Sequence, residues 1–179
     1  MDASRGAELP HECFHRLLRD FGPAIERLAS AYEPDPNERQ DLVQEIIFAL
    51  WRALPSFRAE CSEKTFVYRI AQNRGLTHRW RRRTHYARTV DLSEMQDTLP
   101  DPESQSDLPA ALGRIGREEL LAAVQQLPGL HRDVIVLSLE GLSNSEIAEV
   151  LGISQGNVAV RLTRARAALR EILTRENEP

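Results

Sequence analysis

The chain has 179 residues, of which 41% are hydrophobic and 28% charged, with a formal net charge of −4. That composition fits one ordinary soluble domain or two small ones and excludes a fibrous or wholly low-complexity chain. No apolar run approaches the ~20 residues that span a bilayer, and the opening "MDASRGAELPHECFH" lacks the basic-then-apolar order of a secretory signal, so no membrane insertion and a cytoplasmic location are expected.

In chain order, Cys13–Tyr32 carries Phe14, Leu17, Leu18, Phe21, Ile25, Leu28 and Ala29 at near-helical spacing, with an expected interruption at Gly22–Pro23. His11, Cys13 and His15 raise the question of a metal. On a helix the two histidines share a face and the cysteine points elsewhere, so they read as a surface cluster and no metal site is expected. Cys13 and Cys61, far apart in sequence, read as reduced thiols. Asn37 is the expected cap of a second helix whose apolar face repeats Leu42, Val43, Ile46, Ile47, Leu50 and Trp51 and which Pro55 ends. After the loop "SFRAECS" a third helix starts near Ser62, with Phe66, Val67, Ile70, Leu76 and Trp80 along it. No segment alternates like a strand, so the fold class is all-α.

That third helix raises a charge problem. Arg69, Arg74, Arg79, Arg81, Arg82, Arg83 and Arg88 fall in one stretch with no acidic residue between them, inside an acidic protein. Like charges at helical spacing repel, and a polyanion that neutralises them is the simplest reason to keep them together. Trp80 is a candidate for stacking on a base, but its place in the apolar repeat favours a core role.

From Asp91 to Asp107 the chain reads "DLSEMQDTLPDPESQSD", with six acidic residues, two prolines and no basic residue. Such a segment cannot bury a core and is expected to be an acidic flexible linker, either a plain spacer or an occupant of a basic channel. The organisation is therefore a first helical domain at 11–88, a linker at 89–113 and a second helical domain at 114–175.

In the second domain Leu120, Leu121, Val124 and Leu127 form one face and Val134, Ile135, Leu137 and Leu139 the next, the helices closing at Pro128–Gly129 and Gly141. "SNSEIAEVLGISQGNVAVRLTRARAALREIL" then has helix-turn-helix grammar. Ser143 with Glu146 makes a capping box. Ile147, Ala148 and Leu151 face inward, Gly152 sits where the turn needs positive φ, and Ser154 can cap the second helix, whose core residues are Val158 and Leu162. Gln155, Asn157, Thr163, Arg164 and Arg166 on its exposed side can reach base edges or phosphates. Ala159 and Val160 can touch thymine methyls, or they mean few direct hydrogen bonds there. No nucleophile–base set, metal cluster or glycine-rich phosphate loop is present, so no catalytic residue, no enzyme activity and no cofactor are expected.

"DLVQEIIFALWRALPSF" followed by "TFVYRIAQNRGLTHRWRRR" resembles region 2 of bacterial sigma factors, in the extracytoplasmic-function (group 4) subfamily of the sigma-70 family, and the second domain resembles region 4. The resemblance implies a sigma factor. Asp41, Gln44 and Glu45 would dock on the β′ clamp helices of core RNA polymerase, with the β flap as a further contact. Phe57, Arg58, Asn73, Arg74, Thr77, Arg79, Arg81, Arg82 and Arg83 would recognise and melt the promoter -10 element, Phe57 and Arg58 holding a flipped base. Ser154, Gln155, Asn157, Ala159, Val160, Thr163, Arg164 and Arg166 would read the -35 element. An anti-sigma factor would clamp the two domains together. Phe66 stands where the family commonly has tryptophan, and Thr77, Ala159 and Val160 also depart from its pattern, so neither promoter preference transfers from relatives. The competing reading is a one-component regulator with a helical sensor domain.

Overall fold

The computed structural model describes residues 10–86 and 116–176, in which seven α-helices and no strand are found. The helices are α1 (Pro10–Tyr32), α2 (Pro36–Ala53), α3 (Glu63–Tyr86), α4 (Arg117–Gln126), α5 (Gly129–Leu139), α6 (Asn144–Leu151) and α7 (Gln155–Glu176). A 3-10 turn, Leu54–Ser56, follows α2. The expected linker at 89–113 lies outside the described residues.

The first block packs α1, α2 and α3 around Leu28, Leu42, Ile46, Leu50 and Val67, all nearly fully buried. Three local expectations are corrected. Gly22–Pro23 does not interrupt α1, which runs continuously through Pro23. Proline removes the hydrogen bond to the Arg19 carbonyl, but both residues lie on the exposed side, where water can take that carbonyl. The cap of α2 is Asp35, not Asn37: Asp35 Oδ1 accepts from the backbone N–H groups of Asn37 (2.9 Å) and Glu38 (3.0 Å), and Pro36 then opens the helix with no N–H to satisfy. Trp80 is not core. It is 63% exposed, and Trp51 and Leu76 are also substantially open. The buried face of α3 continues through Val67, Tyr68, Ala71, Gln72, Gly75 and His78, and Trp80, about 200° round the helix from His78, stands on the opposite, charged side.

The second block follows its sequence closely. Ile147, Val158, Leu162, Ala165 and Leu169 form a core with Val134, Ile135 and Leu137. Leu139 departs from the expected face and is 43% exposed. Ser143 Oγ accepts from the Glu146 N–H while the Glu146 carboxylate accepts from the Ser143 N–H (2.7 Å), so both halves of the capping box are made. Gly152 closes α6 at φ 68°, ψ 33°, the left-handed conformation that a side chain disfavours. Ser154 Oγ accepts from the Asn157 N–H at 3.2 Å and starts α7.

The two blocks touch. α1 meets α4 and α5, and α3 meets α6, so the buried residues of both halves join into one continuous cluster.

Candidate nucleic-acid interface

The arginine arm is held by buried acid. Glu33, fully buried at the end of α1, accepts from Arg82 through both carboxylate oxygens, stands 2.9 Å from His78 Nε2 and takes the Asp35 N–H at 2.8 Å. Burial pushes this carboxyl up, but the hydrogen bonds from Arg82, His78 and the Asp35 backbone outweigh it and hold it below the ordinary carboxylate range. The carboxylate therefore fixes the direction in which the arm leaves the bundle. Arg81 pairs with Glu45 on α2 at 3.2 Å. Asn73 and Arg74 are exposed, and Thr77 is half-buried, its hydroxyl donating to the Asn73 carbonyl at 2.8 Å. Arg79 is half-buried against the second block. The Arg83 side chain lies outside the described residues. Asn73, Arg74, Arg81 and Arg82 thus share the arm with exposed Trp80, a polar-plus-aromatic surface suited to phosphates and unstacked bases.

The loop before α3 makes a cleft of about 600 Å³ lined by Phe57, Arg58, Cys61, Phe66, Arg69 and others. Phe57 and Phe66 form an aromatic floor, their ring centroids 4.5 Å apart. Arg58 is exposed at the rim. Ala59, between them and Cys61, has φ 56°, a left-handed backbone that costs an alanine roughly 1–2 kcal/mol. A strained, exposed loop over an aromatic floor is a geometry that can admit a flat base. The Phe57–Phe66 contact could be foreseen only in part, since loop folding brings it about.

On α2, Asp41 and Gln44 are exposed on one flank, whereas Glu45 is half-buried and engaged by Arg81. Phe48 and Trp51 extend this surface as exposed aromatics, with Arg52 5.8 Å above the Phe48 ring and Phe14 edge-on to Trp51. Neither Phe48 nor the exposure of Trp51 was flagged by the apolar repeat, because an apolar residue reads as core in sequence whichever way it faces.

In the second block Ser154, Gln155 and Ala159 are exposed at the start of α7, while Asn157, Val160, Thr163, Arg164 and Arg166 are half-buried along it. Gln155 Nε2 donates to Ser145 Oγ at 3.1 Å, and the Thr163 hydroxyl donates to the Ala159 carbonyl at 3.1 Å. Exposed polar side chains therefore concentrate at the N-terminal turn of α7, with arginines farther along, the order in which a recognition helix meets base edges and then backbone. Among the described residues no group of three or more histidine, cysteine or acidic side chains could hold a metal ion. None of the described helices is long and apolar enough to cross a membrane.

The family model for Sigma-70 region 2 matches residues 17–86, and that for Sigma-70 region 4 matches residues 117–169. The ECF RNA polymerase sigma-E factor of Escherichia coli (strain K12) is 30% identical over 165 residues, covering 88% of this chain and 85% of its own. The chain belongs to the sigma-70 family, in its extracytoplasmic-function subfamily. The RNA polymerase sigma factor NccH of Alcaligenes xylosoxydans xylosoxydans is 28% identical over 176 residues, covering 96% of this chain and 92% of its own. The solved structure of CnrH in complex with the cytosolic domain of CnrY superposes with a TM-score of 0.65 at 25% identity, over 93% of this chain and 91% of that one. Both helical blocks are thus accounted for as sigma regions, which leaves the reading of the first block as a sensor domain without support. The family consists of transcription initiation factors and not of enzymes.

Proposed function

We propose that this chain directs RNA polymerase to a defined class of promoters in the cytoplasm, each block carrying one half of the recognition. The observation that carries this reading is the pairing of two sigma regions in order, residues 17–86 and 117–169, with an arginine arm in the first and a helix-turn-helix in the second.

The exposed flank of Asp41 and Gln44, with Glu45 beside it, docks on the β′ clamp helices, and the second block reaches the β flap. The start of α7, from Ser154 to Val160, enters the major groove of the -35 element, and Thr163, Arg164 and Arg166 follow its backbone. On the arm, Arg74, Arg79, Arg81, Arg82 and Arg83 neutralise phosphates of the -10 element while Asn73 and Thr77 face bases. The Phe57–Arg58 cleft receives a base turned out of the stack, which costs a few kcal/mol that aromatic contact and phosphate pairing offset. Trp80, exposed on the same arm, is a stacking platform in this account. Bond formation belongs to the polymerase. An anti-sigma factor, the kind of partner with which the sigma factor RpoE of Bartonella quintana was solved, holds the two blocks in an inactive arrangement.

Co-purification with core RNA polymerase tests the docking flank. Asp41→Arg/Gln44→Arg leaves the Glu45–Arg81 pair intact, and it is expected to abolish a stoichiometric complex that the unaltered chain forms. Equal binding by both would remove this flank from the interface.

A further inference from the structure

The faces that meet between the two blocks have opposite charge. Arg27 on α1 grips Glu140, at the end of α5, through two hydrogen bonds of 2.7 and 2.6 Å, and the Tyr68 hydroxyl donates to the same carboxylate at 3.1 Å. Lys64 donates to the Gly141 carbonyl at 2.8 Å and lies 3.6 Å from Glu146. Arg69 reaches both the backbone carbonyl and the carboxylate of Glu149 on α6, at 3.2 and 3.3 Å. The first block supplies the cations and the second the acids. At the centre Asp133 of α5 is 5% exposed, and its carboxylate takes the proton of the Tyr32 hydroxyl at 2.6 Å, with the Gln72 amide 2.7 Å from that hydroxyl. A hydroxyl has one proton, so the Gln72 amide meets it best with an N–H, which also gives the otherwise unpartnered Nε2 a bond.

We infer that in the free chain the second block latches onto the first, with Asp133–Tyr32–Gln72 as a buried bolt and Glu140 and Glu149 as charged guides, so that polymerase and promoter must displace it. Two features show what the latch withholds. Glu149 lines the cleft of Phe57 and Arg58, so the closed chain sets an acidic residue of the second block in the wall of the space that would receive a base and its phosphate. Arg79 is pressed against Gly129 at the start of α5, where a methyl group would collide with its guanidinium, and its Nη1 is buried without a hydrogen-bond partner. An unsatisfied buried donor is a standing cost of closure that a DNA phosphate would relieve. Apolar residues of both blocks also meet there, but the charged pairs are one-to-one and can be exchanged for those of a partner, as in interfaces between domains that move. The purpose assigned to the latch rests on the promoter-binding reading above; its existence does not.

The test is small-angle scattering of the full chain alone, paired with binding to a single-stranded -10 oligonucleotide. Closed, a chain of this length has a radius of gyration of about 16 Å, and with its blocks apart roughly 20–25 Å. The unaltered chain is expected to be closed and Glu140→Arg/Glu149→Arg open, with oligonucleotide binding about ten-fold tighter because the competent fraction rises. Adding Arg27→Glu/Arg69→Glu to that variant restores opposite charges and is expected to close it again. Asp133→Asn, which keeps the size of the side chain, is expected to loosen the latch while far-UV circular dichroism stays unchanged. An unaltered chain that is already open, or a Glu140→Arg/Glu149→Arg variant as compact as the parent, would overturn the inference. Failure of the open and closed forms alike to bind the oligonucleotide would instead refute the promoter reading, and the scattering would still decide the latch.

Discussion

The two helices assigned to DNA are built in opposite ways. Helix α7 is set in place by neighbours a few residues away: the Ser143–Glu146 box, Gly152 at positive φ and the Ser154 cap all lie within the motif. Helix α3 is set by residues 36 to 72 positions distant, namely Glu45 for Arg81, Glu33 for His78 and Arg82, and Glu140 for Tyr68. A helix that only has to lie in a groove can be specified locally. One proposed to hold a melted strand, and inferred to be withheld in the free chain, depends on long-range partners that can be exchanged.

That contrast can be broken most severely in the core. Ile147→Ala, beneath the helix-turn-helix, is expected to cost about 2–5 kcal/mol and to melt the second block in urea titrations, while the first block, watched through Trp51 and Trp80 fluorescence, is affected less. Next comes Glu33→Gln. Removing one member of a charge cluster around a fully buried carboxylate costs roughly 2–3 kcal/mol, at the low side because Arg82 is partly exposed. Its pH signature is specific. Glu33 is held below its ordinary value, so its contribution is complete above the ordinary carboxylate pKa and is lost as pH falls through the lowered one. Acid titration of stability should therefore be shallower in Glu33→Gln than in the parent, and identical slopes would contradict the assignment.

A sharper comparison lies at Gly75. A Cβ there would meet the Tyr32 ring at 2.7 to 3.0 Å, so Gly75→Ala must push Tyr32 from its place beside Asp133. About 1–3 kcal/mol of overpacking is expected, together with partial opening of the two blocks in scattering, an effect that local helix propensity would not produce. The smallest change is Ser143→Ala, which removes one half of the capping box for about 1 kcal/mol. Hydrogen exchange should quicken in the first turn of α6 and leave α3 unchanged.

The same division explains what could be read from the chain beforehand. Capping box, turn glycine and the Ile147–Val158–Leu162 core were legible because each depends on spacing within one short motif. The all-α class followed from helical periodicity throughout. Trp80 was misjudged because the buried face of α3 passes at that point to small and polar residues, Gly75 and His78, while the tryptophan falls on the other side of the helix. Asn37 was read as the cap, whereas Pro36 opens the helix and leaves Asp35 in the capping position, since a proline fits the first helical residue. The contacts between blocks were out of reach: Asp133 in a predominantly apolar stretch reads as an exposed interruption, and only the folded chain brings Tyr32 and Gln72 to it.

The central claim is that this chain gives core polymerase its promoter. Run-off transcription with purified core enzyme on the DNA upstream of its own gene tests that most directly. The account predicts a discrete start site that appears only when the chain is added, and that disappears when Asn73→Ala/Arg74→Ala is used in its place. A chain that binds the same duplex tightly without polymerase and yields no transcript would contradict it.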